Sequence, residues 1–262
     1  MTLSALTRHT RSTSLQAMAD SEGLDVLVIG GGVTGAGIAL DAATRGLRTG
    51  IVEMQDWAAG TSSRSSRLVH GGLRYLYNLD IGLVAEALGE RGLLLEKLAP
   101  HLVTTQPFLW PLKTPVIERG YSAVGVGLYD TLGQLRSPGA RVPRQKHYSR
   151  SQALEIFPDL RSDQLVGAIR FYDARVDDAR LVISLVRTAA RFGAYAASRT
   201  QVVSLLRDGG RVVGAEVVDL ETGERHTIRA SRVISATGVW TDDTERLAGL
   251  GADEGLRVLA SK

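Results

Sequence analysis

Residues Asp25 to Gly37 read DVLVIGGGVTGAG, and eighteen residues past Gly35 a second apolar run, Thr49-Gly50-Ile51-Val52, ends in Glu53. Val26 to Ile29 form a short continuous apolar run, the pattern of a buried parallel strand. Gly30, Gly32 and Gly35 then fall on a G-x-G-x-x-G spacing. The first glycine permits the tight turn, the second lets a pyrophosphate approach the backbone, and the third lets helix pack on strand. The helix that opens there directs its first N–H groups and positive dipole end at phosphate. An acid placed like Glu53 accepts hydrogen bonds from a ribose hydroxyl and disfavours a 2′-phosphate. A glycine turn alone is also a tight turn of any α/β protein. Strand, turn, helix, strand and acid together predict a dinucleotide site, without separating NAD from FAD.

Composition narrows the chemistry. At 262 residues the chain can bury one large core or two smaller ones, and its 44% hydrophobic and 23% charged residues are those of an ordinary globular protein. The absence of cysteine excludes disulfides, thiolate nucleophiles and cysteine-ligated metal centres. Redox chemistry must then come from an organic cofactor or a metal held by other ligands; no metal-ligand pattern is read here. A net charge of +3 suits an anionic substrate or membrane surface. No basic helix or aromatic–basic repeat points to nucleic acid. No segment has the uninterrupted apolar length needed to cross a bilayer. Residues 1–23, rich in Ser, Thr and Arg and lacking an apolar core segment, read as a disordered leader.

Beyond the first βαβ unit, Asp56 to Asn78 is crowded with Gly, Ser and Arg and reads as a functional loop. Asp80 is placed to cap a helix running to about Ala99, with Leu83, Val84, Ala87, Leu88, Leu94, Leu95 and Leu98 as its apolar face. Pro107 and Pro111 make residues 105–112 an edge strand. A helix is expected over 117–132, and the cationic stretch 136–150 reads as a solvated loop. Ser149 caps a short helix that breaks at Pro158. A strand at 165–172 leads to Asp177 and Asp178, read as caps of a helix that ends at Phe192 and Gly193. Strands at 201–207, 211–219 and 225–229 form a meander, and 232–236 is a separate buried strand ending in Thr237-Gly238. A last strand at 256–260 has no element after it, which predicts a fragment truncated at its C-terminus.

The most distinctive stretch is Gly60 to Leu76, GTSSRSSRLVHGGLRYL. Its hydroxyls and N–H groups can receive a pyrophosphate and a polyol chain. Gly71 and Gly72 would let the backbone lie close to a flat ring, and Arg74 offers a planar fork to a phosphate or oxyanion. The alternative is a Ser/Gly surface loop.

Taken together, IGGGVTGAGIALDAATRGL, TSSRSSRLVHGGLRYL, VDDARL and ATGVW resemble the N-terminal half of the FAD-dependent glycerol-3-phosphate dehydrogenases. The resemblance runs from about Asp25 to the last residue. It implies an α/β fold, a Rossmann-like FAD-binding domain of the two-dinucleotide-binding type with an interleaved α+β substrate domain. The expected parts are a first FAD-binding segment at 24–104, a partial substrate domain at 105–170 and a second FAD-binding segment at 171–262. Gly30, Gly32 and Gly35 would bracket the FAD pyrophosphate, with Glu53 on the adenosine ribose. Thr61, Ser62, Ser66, Gly71 and Gly72 would lie along the phosphates and isoalloxazine. Val203 would meet the adenine, and Gly238 would form a second glycine turn. Arg74 and Tyr75 fall on the substrate side of the flavin. His70, four residues from Arg74, is read either as the local candidate for a base or as a histidine packed on or hydrogen-bonded to the cofactor. The implied reaction oxidises sn-glycerol 3-phosphate to dihydroxyacetone phosphate by hydride transfer from C2, with electrons passed to quinone. It implies a cytoplasmic enzyme with room for peripheral contact on the inner face of the cell membrane and for a homo-oligomer. The alternatives are an inactive FAD-binding fragment, a flavin oxidase using oxygen or acting on amines or hydroxy acids, and, weakest, an NAD-dependent dehydrogenase.

Overall fold

The computed structural model describes residues 5–20, 22–114, 117–137, 139 and 142–249, and of these the side chains of Arg74, Leu76, Tyr77, Ile117 and Arg119 are outside the description. The expected strand at 256–260 lies outside the described residues. The chain divides into two compact units, one from Met1–Ser65 and Asp178–Lys262, the other from Ser66–Asp177.

The first unit begins with α1 (Arg8–Asp20), β1 (Leu24–Ile29), α2 (Val33–Thr44) and β2 (Thr49–Val52). Residues 8–20 are thus a helix where a disordered leader was expected. Its buried face carries Thr10, Arg11 and Ser14 beside Leu15 and Met18, so its amphipathicity is weak in sequence. Leu15 and Met18 are fully buried against Leu24, Leu27 and Val52, a contribution of about 1.5–3 kcal/mol each. The glycine turn is shaped by backbone contact. Gly30 has φ +113°, a region closed to most residues, and a Cβ on Gly35 would stand 1.9 Å from the Gly30 carbonyl oxygen.

The second unit holds β3 (Leu68–Val69), α3 (Ile81–Leu93), β4 (Thr104–Leu112), α4 (Ile117–Arg136), β5 (Lys146–Ser149), α5 (Arg150–Ile156) and β6 (Gly167–Arg175). Strand β6 is central. Strand β4 pairs along it from Thr104 opposite Arg175 to Leu112 opposite Gly167, and β3 and β5 share its other edge. Pro107 and Pro111 therefore sit on an edge strand, where a missing N–H costs no ladder bond. Asp80 caps α3 by accepting the Leu83 N–H at 3.2 Å, and Ser149 with Gln152 forms a capping box on α5.

Several expectations change here. The Asp56–Asn78 loop contains strand β3 and two 3-10 turns, and the cationic stretch ends in strand β5, with Tyr148 buried. The buried face of α3 is Val84, Ala85, Leu88, Arg91 and Gly92, while Leu83 and Leu98 are exposed. An arginine sits in that face because Asp173 neutralises it. The unit boundary falls at Ser65/Ser66 and not after residue 104, since α3 packs on α4 and β3 pairs with β6. Its far boundary is Asp177/Asp178 where 170/171 was expected.

The chain then returns to the first unit through α6 (Asp178–Arg191), β7 (Tyr195–Ala197), β8 (Thr200–Asp208), β9 (Arg211–Asp219), β10 (Arg225–Ser235) and α7 (Thr241–Leu247). The sheet order is β7-β2-β1-β10-β9-β8. The third meander strand and the buried strand expected at 232–236 are one strand. Residues 225–229 of β10 run antiparallel to β9, and 230–235 run parallel to β1. Alternation divides the core. Val26, Val28 and Ile51 face the alanines of α2 and Val182 and Val186 of α6, while Leu27, Ile29 and Val52 face α1 and the meander. Among the described residues, no helix is long and apolar enough to cross a membrane.

Candidate functional site

The first unit carries a cleft of about 560 Å³ above the C-terminal ends of β1 and β2. In open α/β sheets this is the edge at which ligands bind. The first turn of α2 forms one wall, so its leading N–H groups and dipole favour an anion there. A Cβ on Gly32 would meet only Ser62 Oγ, at 3.2 Å, so its missing side chain leaves room on the cleft side. Ser62 itself, from the 3-10 turn Thr61–Ser63, accepts the Val33 N–H at 2.9 Å and draws the Ser-rich loop over the turn.

Glu53 stands at the end of β2. One carboxylate oxygen accepts the Gly31 N–H at 2.7 Å and the other accepts the Gln55 N–H at 2.6 Å. Those bonds use two of about four acceptor positions on the carboxylate. The acid therefore buttresses the glycine turn and keeps capacity for a hydroxyl donor. Val203 of β8 and Gly238, which opens the 3-10 turn Gly238–Trp240, line the same cleft.

Of the sequence-predicted residues, Gly30, Gly32, Glu53, Thr61, Ser62, Val203 and Gly238 surround this one cleft. Gly35 lies behind it in helix–strand packing. Sequence reasoning missed Met54, Gln55 and Gln201, and it missed Trp240, whose ring is 2.8 Å from where a Gly60 Cβ would be. Trp240 closes the ATGVW motif, so an aromatic two residues past a glycine turn was the available signal. Asp178, expected only as a helix cap, also accepts the Ser65 hydroxyl and ties the Ser-rich loop to α6.

Ser66, His70, Gly71, Gly72, Arg74 and Tyr75 belong to the second unit. Ser66 and His70 are exposed, and Gly71 and Gly72 are buried. Gly72 has φ +69°, and its carbonyl accepts the Tyr75 N–H at 2.7 Å in the 3-10 turn Leu73–Asn78. The backbone of Arg74 lies in that turn; its side chain is outside the description. Beneath the turn the Gly71 N–H donates to the Tyr129 hydroxyl at 2.7 Å. Tyr129 donates to Asp173 at 2.8 and 2.9 Å, and Arg91 Nη1 reaches the same carboxylate at 2.6 Å. Burial first, and the Asp173 charge second, push the Tyr129 phenol far above its ordinary range, so it stays protonated. Among the described residues no group of three or more His, Asp or Glu side chains converges to hold a metal ion.

Comparison with known proteins agrees with this geometry. The family model described as FAD dependent oxidoreductase matches residues 25–262. A glycerol-3-phosphate dehydrogenase of Mycobacterium leprae is 54% identical over 228 residues, covering 87% of this chain and 38% of that protein. The mitochondrial glycerol-3-phosphate dehydrogenase of Rattus norvegicus is 44% identical over 251 residues, covering 90% and 34%. The crystal structure of the glycerol-3-phosphate dehydrogenase from Bacillus halodurans complexed with FAD superposes with a TM-score of 0.67 at 34% identity, covering 91% of this chain and 38% of that one. The chain thus spans little more than a third of the length of these relatives.

Proposed function

The chain belongs to the FAD-dependent oxidoreductase family, and from that premise we propose that it is the FAD-binding portion of an enzyme that oxidises sn-glycerol 3-phosphate to dihydroxyacetone phosphate. The observation that carries the substrate is the 54% identity to a protein named glycerol-3-phosphate dehydrogenase. The cleft supports the cofactor, because its glycine turn, helix N-terminus and ribose-ready acid fit a dinucleotide.

In this reading the first turn of α2 and Ser62 hold the pyrophosphate, Glu53 the adenosine ribose, and Val203 the adenine region. Thr61, Ser66, Gly71, Gly72 and Gly238 contribute the rest of the cofactor contacts. FAD supplies the two-electron acceptor for the hydride that leaves C2. Arg74, with Tyr75 beside it, anchors the dianionic substrate so that C2 is aligned for transfer. The C2 hydroxyl proton must leave as the ketone forms, and His70 is the group assigned to take it. Electrons then pass to quinone, a step supported by the relatives' being dehydrogenases in name. Peripheral membrane contact and a homo-oligomer are consistent with that acceptor and remain part of the proposal.

An absorbance spectrum with anaerobic sn-glycerol 3-phosphate tests the reading. A flavin band near about 450 nm that bleaches is expected for a bound redox-active flavin. A bound flavin that does not bleach overturns the catalytic assignment for this polypeptide and leaves a cofactor-binding fragment. Rapid reoxidation by oxygen in place of a quinone analogue overturns the acceptor.

A further inference from the structure

We propose that Tyr129 is a positioning residue for the His70–Tyr75 turn, holding the Gly71 amide and with it the backbone that carries the residues proposed to act beside the flavin. The role rests on the flavin reading above; the network behind it is seen directly.

Four elements converge on one buried chain of bonds. Arg91 comes from α3, Tyr129 from α4, Asp173 from β6 and Gly71 from the segment after β3. Arg91, Tyr129 and Asp173 are each 5% exposed or less. Asp173 takes a charged donor from Arg91 and both its oxygens accept from the Tyr129 hydroxyl, which commits the phenolic proton inward. The phenolic lone pair is thereby left to face the Gly71 N–H. The Arg91 guanidinium also lies 5.5 Å from the Tyr129 ring centroid, which fixes the ring. Burying such an ion pair contributes little net stability compared with apolar packing. Its effect here is geometric, because it fixes one oxygen in a place where nothing local would.

Gly71 is fitted to that oxygen. A Cβ on Gly71 would stand 2.8 Å from Tyr129 Oη and 2.5 Å from Leu88 Cδ2. Sequence reasoning gave this glycine to a flat ring outside; the structure shows that its side-chain position is blocked from within. Any side chain would have to displace Leu88 and the Tyr129 hydroxyl or move the Gly71 backbone off the phenol, next to Gly72, whose positive φ precedes the 3-10 turn. His70 on one side and Tyr75 on the other are thus referenced to a single buried hydroxyl.

The test is Tyr129→Phe in the FAD-loaded chain, which removes one oxygen and keeps the ring. Hydrogen exchange of the peptide covering 70–76 is expected to rise about tenfold, the effect of losing one buried hydrogen bond. Flavin content should hold while the visible circular dichroism of the bound flavin changes. Gly71→Ala, which leaves the Arg91–Asp173 pair intact but crowds the amide against the phenol, should move both readouts the same way and serves if Tyr129→Phe does not fold. Unchanged exchange overturns the proposal. Faster exchange with an unchanged flavin spectrum also overturns it, leaving the network a purely structural one. A wild-type chain that takes up no FAD overturns the cofactor reading and this role with it, whereas failure in a chain that does bind FAD overturns this role alone.

Discussion

Arg11 of α1 and Asp219 of β9 form a buried, two-pronged ion pair, with Nη2 2.5 Å from Oδ1 and Nη1 3.0 Å from Oδ2. The guanidinium also donates to the carbonyls of Ser198 and Arg199, at 2.6 and 3.1 Å. One side chain near the start of the chain thus satisfies the connection between β7 and β8 and the end of β9. Removing either partner leaves the other's buried charge without its main counter-ion. Arg11→Met is expected to destabilise by about 3–5 kcal/mol, seen as a fall in urea midpoint.

The same pair predicts a pH dependence. Burial opposes the Asp219 charge, but the Arg11 guanidinium and the N–H groups of Glu221 and Thr222 outweigh it and hold the carboxyl below its ordinary range. A carboxyl depressed by folding contributes stability that is fully present above its unfolded pKa, about 4, and is lost as pH falls through the lower folded value. The gap in stability between wild type and Asp219→Asn should therefore be constant from neutral pH to about 5 and narrow below about 4. A gap that widens on acidification contradicts the assignment.

Two glycines in one motif should fail in different ways. A Cβ at Gly35 lands on the Gly30 carbonyl, which cannot yield, so Gly35→Ala should lower stability by about 1–3 kcal/mol or more. A side chain at Gly32 meets only the Ser62 hydroxyl and then fills the cleft. Gly32→Val should fold and purify colourless. Thermal melts and flavin content of the two variants, compared side by side, separate packing from ligand approach. A Gly32→Val protein that stays yellow removes the glycine turn from the cofactor site.

That contrast shows what was legible in sequence. The strand–turn–helix–strand–acid run is local, and each of its residues is constrained by near neighbours, so Gly30, Gly32 and Glu53 could be read directly. Helix α1 could not be, because its buried face depends on Asp219, two hundred residues away, and looks polar without it. Arg91 was hidden for the same reason. An arginine among Val84, Leu88 and Gly92 reads as a surface position until Asp173 and Tyr129 are seen beneath it. The single strand β10 was read as two, since its polar Arg229, Ser231 and Arg232 interrupt the apolar pattern where the strand changes from an antiparallel to a parallel partner.

Glu53 offers a substitution that is conservative only in appearance. Both its oxygens accept backbone N–H groups, so Glu53→Gln would turn an amide N–H₂ toward a donor at Gly31 or Gln55. The expected cost is about 1–3 kcal/mol at the glycine turn, the penalty for a frustrated donor. FAD affinity measured by calorimetry should fall at least about fivefold, the lower end of that range, with the fold retained. An unchanged affinity places the ribose contact elsewhere.

Arg74 is the residue on which substrate recognition is proposed to depend. A guanidinium meeting a phosphate makes charge-assisted bonds worth about 1.5–3 kcal/mol, which corresponds to roughly 10- to 150-fold in affinity. Arg74→Ala in the active enzyme should therefore raise KM for sn-glycerol 3-phosphate within that span while flavin content stays at the wild-type level. Arg74→Lys should recover only part of the loss, since an ammonium keeps the charge but not the planar fork. A fall in flavin content in place of a rise in KM would move Arg74 from the substrate to the cofactor. Wild-type kinetics in both variants would remove it from the site, leaving the phosphate to be bound by residues outside this part of the chain.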